Sequence, residues 1–115
     1  MDAEALVVDW LNARGVGATA YPDVPARRPA EFVSVLLTGG ARTRRVVESP
    51  LLTVQCWAAD RPSARALADR VAAALGRMTE LPEVFHVNLA STFRDTDLES
   101  GTPRYQLVVE LTLCE

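Results

Sequence analysis

Residues 84–114 read VFHVNLASTFR, then DTDLESGTP, then RYQLVVELTLC, and this stretch decides the fold. The first piece alternates, with Phe85, Val87, Leu89 and Phe93 expected inward and His86, Asn88 and Thr92 outward. The third sets Leu107, Val109, Leu111 and Leu113 against Gln106, Glu110 and Thr112. Side chains that change character every second residue mark strands with one face on a core. The polar run Asp95 to Pro103, with Gly101 near its end, reads as a turn or short exposed loop. Two long alternating strands joined by one polar loop predict an antiparallel hairpin.

Working back from the hairpin, Arg61 to Met78 is the longest predicted helix, with Asp60 as its cap and Pro62 tolerated in the first turn. Ala64, Leu67, Ala68, Val71, Ala74, Leu75 and Met78 form its buried stripe; Arg65, Asp69, Arg70 and Arg77 form its wet side. Arg65 and Asp69 stand four apart, the spacing of a weak surface pair. Before it, Leu51 to Ala58 predicts a strand with Leu52, Val54, Cys56 and Ala58 on one face and Leu51, Thr53, Gln55 and Trp57 on the other. Glu31 to Thr38 is a further strand, apolar on both faces: Val33, Val35 and Leu37 against Phe32 and Leu36. That pattern suits a central strand or one whose second face meets a neighbouring subunit. Gly39 and Gly40 are expected to break it, and Ala41 to Ser49 to follow as a polar stretch.

At the start, Asp2 to Arg14 predicts a short amphipathic helix. Ala3, Leu6, Val7, Trp10 and Leu11 share one side; Asp2 caps its start, and Gly15 and Gly17 end it. Ala18 to Tyr21 is a weak strand, and Pro22, Pro25 and Pro29 make the following segment a loop. The predicted class is α+β, a single mostly antiparallel sheet with two helices packed on one face, in the order α-β-β-β-α-β-β. Residues 1–115 are read as one domain, a length sufficient for one core.

With 49% apolar and 23% charged residues the composition is that of an ordinary globular chain. The formal net charge is −3, so no global basic field draws nucleic acid or an acidic membrane. All 12 cations are arginine, in the manner of GC-rich coding. Cys56 and Cys114 lie far apart and read as two small strand residues rather than a disulfide or metal pair, a usage that fits a reducing compartment. The acidic start Met1-Asp2-Ala3-Glu4 does not resemble a signal peptide, and no apolar run reaches the ~20 residues of a membrane span.

The sequence offers little to chemistry. His86 is the only histidine, leaving no second nitrogen for a metal site, and no nucleophile-elbow, zinc-protease or phosphate-loop motif occurs. The expectation is therefore no enzyme, no catalytic residue, no metal and no cofactor. Asp95, Asp97 and Glu99 lack the glycine and closing glutamate of a calcium loop. They read as a solvated loop that contacts a partner. Arg42, Arg44 and Arg45 stand beside two glycines, and read either as a solvated turn or as a basic finger aimed at a neighbour's carboxylates or at DNA phosphate.

Taken in order, several segments carry a resemblance: Glu4 to Leu11, the strand Val33 to Leu37 running into Gly39-Gly40, the arginine loop, Leu52 to Ala59 leading into an Ala-rich helix, and Arg104 to Leu111. Across essentially the whole chain this pattern resembles the tail terminator proteins of long-tailed, siphovirus-type phages. The family has no active-site motif, so no catalytic residue carries over. The resemblance implies a structural subunit that forms a ring with itself, a hexamer, at the head-proximal end of the phage tail. Such a ring caps tail-tube polymerisation and offers its other face for head–tail joining. The implied partners are the tail tube protein and the head-connector or neck protein, with DNA only as passing cargo and no membrane. The implied location is the virion, after synthesis in the bacterial cytoplasm. Arg42, Arg44 and Arg45 would then lie at a subunit contact or line the channel. Another phage neck or tail-completion protein, a small dimeric ligand-binding module and a toxin-type nuclease are the competing readings.

Overall fold

The computed structural model describes residues 2–44 and 47–114, with backbone alone for 41–44. The elements are α1 (Ala3–Arg14), β1 (Thr19–Tyr21), β2 (Phe32–Arg44), β3 (Val47–Trp57), α2 (Arg61–Gly76), a 3-10 turn (Met78–Glu80), β4 (Val84–Thr96) and β5 (Pro103–Cys114). They build one 5-stranded sheet in the order β1-β2-β3-β5-β4. Only the β1–β2 pair is parallel; the other three are antiparallel. The α+β class and the element order are those the sequence predicts.

Each helix begins where its chemistry requires. Asp2 accepts from the Ala5 N–H at 3.0 Å and Asp60 from the Ser63 N–H at 2.8 Å, so each cap satisfies an otherwise unpaired donor. Gly15 ends α1 at φ 66, returning its N–H to the Leu11 carbonyl. The second helix stops at Gly76, short of the expected Met78, which falls instead in the 3-10 turn and is fully buried there. Arg65 and Asp69 pair at 3.2 Å as their spacing predicts.

Both helices lie on one face of the sheet and seal the core between them. Strand register places Val33 beside Cys56, Val35 beside Val54 and Leu37 beside Leu52, and continues through Tyr105, Leu107 and Val109 of β5. Ala3, Val7, Trp10 and Leu11 of α1 and Ala64, Leu67, Ala68, Val71 and Leu75 of α2 close over them. The Trp10 indole donates to the Ala74 carbonyl at 2.7 Å, joining the helices. Burial pushes the Cys56 thiol up to about 12, so it behaves as a small apolar residue. Both cysteines are free.

Three expectations need correction. Gly39 and Gly40 do not break the strand: β2 runs through them to Arg44, and β3 starts at Val47, so most of the expected polar stretch is strand. A register shift between Leu37 and Gly39 absorbs one residue as a bulge. Gly40 sits at φ 122, where a side chain would come within 2.5 Å of the Ser49 carbonyl oxygen. Asp95 is not in the loop but within β4, opposite Arg104. Finally, the expected inward row of β4 holds only in part: Val87 and Leu89 stand opposite Leu111 and Val109 on the helix face, whereas Phe85 and Phe93 do not follow. Shifts after Val84 and after Leu89 move residues off the simple alternation, and Phe93 comes to face Gln106 on the side away from the helices.

Candidate interaction surface

The face opposite the helices is where the molecule departs from a plain two-layer domain. Register lays it out in rows: Phe32, Trp57, Arg104 and Asp95; then Ser34, Gln55, Gln106 and Phe93; then Leu36, Thr53, Val108 and Ser91. No helix covers this face, yet Phe32 and Trp57 are only 1% and 2% exposed. The connection from β1 to β2 explains this. Parallel neighbours cannot be joined by a tight turn, so the chain must cross over the sheet. Residues 22–31, held out of regular structure by three prolines, cross on the helix-free side, where Pro22, Asp23 and Val24 lie against Ser34, Leu36 and Gln55.

Beneath this strap the two rings stack at 5.2 Å with planes 11° apart. The Arg28 and Arg104 guanidinia lie 5.1 and 4.9 Å from the Trp57 ring, close enough for cation–π attraction. The Trp57 indole donates to the Ser34 hydroxyl at 3.0 Å, and that hydroxyl donates to Gln55 at 2.9 Å. Every polar atom the stack encloses is therefore matched, which burial demands.

Two of the acids singled out in the sequence are gathered here. Asp95 accepts from Arg104 at 2.7 Å and from the Gln106 amide. The Arg104 hydrogen bond, ahead of that from Gln106, holds its carboxyl below the usual range, outweighing lost hydration. Asp97 accepts from the Ser100 hydroxyl at 2.6 Å and lies 3.8 Å from Arg28 and 3.9 Å from Arg104. Its carboxyl is likewise lowered, first by Ser100. Both aspartates thus fasten the strap and the β4–β5 turn to the sheet. Glu99 is separate, exposed at that turn beside Leu98, which is 96% exposed.

The backbone of Arg42 and Arg44 lies at the opposite end of the sheet, since Val47 pairs with Cys114 and Trp57 with Arg104. Arg42 and Arg44 belong to β2, where the backbone sets Arg42 opposite Glu48. Arg45 lies outside the described residues. His86 is exposed on β4, opposite Thr112. Among the described residues no three of His, Cys, Asp and Glu converge to hold a metal ion. A shallow groove between the ends of α1 and α2 is rimmed by Arg14, Arg70 and Arg77. Arg14 and Arg77 share Glu80 at 2.5 and 2.7 Å, and Arg70 bonds the Val16 carbonyl at 2.7 Å, so all three have protein partners. Among the described residues no helix is long and apolar enough to cross a membrane.

What remains is apolar surface. On β4, Phe85 is 75%, Leu89 38% and Phe93 43% exposed; on β2, Leu36 and Leu37 are each 48% exposed. Alternation does not disclose this for β4, because it reports which residues share a face and not whether anything covers it; on β2 the two apolar faces already allow a neighbouring subunit.

No family model matches the chain, and no curated protein matches it. Among solved structures it is similar to a chain in the virion of a native gene transfer agent particle. The TM-score is 0.63 at 20% identity, over 98% of this chain and 95% of that one. The two chains share a fold.

Proposed function

We propose that the protein is a structural subunit of a phage-type virion, and more narrowly a tail terminator. In this reading a ring of copies, six by the resemblance, ends tail-tube growth and joins tail to head. The observation that carries it is the uncovered apolar strand β4, a long edge with Phe85, Leu89 and Phe93 in solvent. Edge strands of this kind ordinarily pair, hide or carry charge, and this one is built for a neighbour. The shared fold with a virion chain supports the same reading.

A cap needs geometry more than chemistry. Its lower annulus must match the tube end and its upper annulus must not imitate the tube protein, which removes the template for the next layer. The two ends of this sheet differ in chemistry, which suits this reading: Arg42 and Arg44 belong to one, and the β4–β5 turn with Leu98 and Glu99 forms the other. We assign no catalytic role to any residue. Many copies on one tube end multiply individually weak contacts, so no single residue has to dominate.

Deleting the gene from the phage that encodes it tests the function. Overlong tails without heads, seen by electron microscopy, are the expected result. Tails of normal length that fail to join heads would make it a neck-completion protein instead. Normal tails on filled heads would exclude both.

A further inference from the structure

The sheet has two open edges, and both expose large apolar side chains. One is β4. The other is the greater part of β2, because the 3-residue β1 pairs only with Phe32, Val33 and Ser34. Beyond that point Leu36 and Leu37 stand half exposed, and the Leu37 N–H is met by the Glu4 carboxylate at 2.7 Å.

The two edges are matched in position and direction. Leu37, Leu52, Val109 and Leu89 form one continuous row, so the exposed leucines of β2 and β4 end the same row on opposite sides of the sheet. Three successive antiparallel pairings leave β4 running opposite to β2. A second copy in the same orientation, moved sideways, would bring its β2 antiparallel to this β4 with Leu37 beside Leu89.

Charge agrees with that placement. The helix on the β2 side, α1, carries Asp2 at its cap, Glu4 and Asp9, with Arg14 as its one cation. The helix reaching over β4, α2, carries Arg61 and Arg65 beside Tyr105 of β5, against Asp69, and Arg94 is exposed on β4 itself. Head-to-tail contact brings the acidic flank to the basic one. A two-fold contact of β4 with β4 would instead oppose like charges.

We infer that copies of this chain join head to tail through their sheets, the β4 edge of one meeting the Val35–Gly40 part of β2 in the next. This rests on the ring reading and supplies its contact. Such a contact is heterologous, and when successive copies are also turned by a rotation that closes, it forms a ring with no free edge. Glu4 serves as the placeholder on the β2 edge, releasing the Leu37 N–H when the neighbouring strand arrives.

Cysteine pairs in the full-length protein test it, with Cys114→Ser as background. The double variant Leu37→Cys/Leu89→Cys should give, under oxidation, a ladder of linked chains ending at the closed ring, whereas either single variant should give none. Cross-strand neighbours lie within disulfide reach. Dimers from Leu89→Cys alone would overturn the inference in favour of a two-fold contact. A ring mass in native mass spectrometry with no cross-link in the double variant would overturn this contact while the ring reading stands. A folded chain that stays monomeric at every concentration and on tube ends, without cross-links, would overturn both.

Discussion

Under the helices Leu52, Val54, Leu107 and Val109 are fully buried, whereas on β4 Phe85, Leu89 and Phe93 are 75%, 38% and 43% exposed. These residues are alike in kind and sit in the same sheet. What separates them is cover: α1 lies over β1 and β2, and α2 reaches β3, β5 and part of β4, leaving the far edge bare. The difference teaches that apolar content in this chain serves two ends. One set holds the fold, and the other stands in solvent, where the proposed contact would cover it.

Substitutions in the two sets should therefore act on different properties. Leu107→Ala empties space in a sealed core and is predicted to cost about 2–5 kcal/mol. Leu89→Ser, at a partly covered edge site, should cost about 1 kcal/mol, well below the core variant, yet abolish assembly. Urea unfolding and solution mass measure the two outcomes. Equal losses of stability would mean that β4 belongs to the core after all.

A second contrast is finer. Gly40→Ala places a methyl 2.5 Å from the Ser49 oxygen at a backbone angle of φ 122, while the same change at Gly39 meets nothing nearer than Leu51 at 3.7 Å. The first should cost about 1–3 kcal/mol, in the range of local backbone strain, and the second much less. Denaturation midpoints of the two variants check this. Equal midpoints would mean the bulge is not needed to carry β2 past β3.

The smallest effect concerns the polar clasp on the open face. Asp95 is held by Arg104 and its carboxyl is lowered on folding. A carboxylate lowered in this way favours the folded chain above its unfolded pKa of about 3.9, and that contribution is lost as pH falls through the folded value. The midpoint difference between wild type and Asp95→Asn should therefore be present at neutral pH and vanish in acid. A difference that persisted below the folded value would assign the effect to lost packing rather than charge.

These contrasts also show what the sequence could and could not tell. The caps Asp2 and Asp60, the stripe of α2 and the strand faces of β3 were legible because each depends on residues a few positions apart. The bulges were not: one absorbed residue after Leu37, and another after Leu89, invert the face of everything beyond them without altering composition. Asp95 was assigned to a loop because polarity alone does not distinguish a turn from an edge strand. The burial of Trp57 depends on a strap from residues 22–31 and on Arg104, contacts distant in sequence. Of the candidate sites, Arg42, Arg44 and Asp97 were recognisable as unusual residues, but whether they bind inward or outward is a property of the fold.

We have proposed that this chain stops growth at the end of a tail tube. The most direct measurement adds the purified full-length protein to polymerising tail tube protein of the same phage and records tube length by electron microscopy. Growth should halt with a cap at one tube end, and Leu89→Ser should fail to stop it. Tubes that lengthen at the same rate with and without the wild-type protein would contradict the claim.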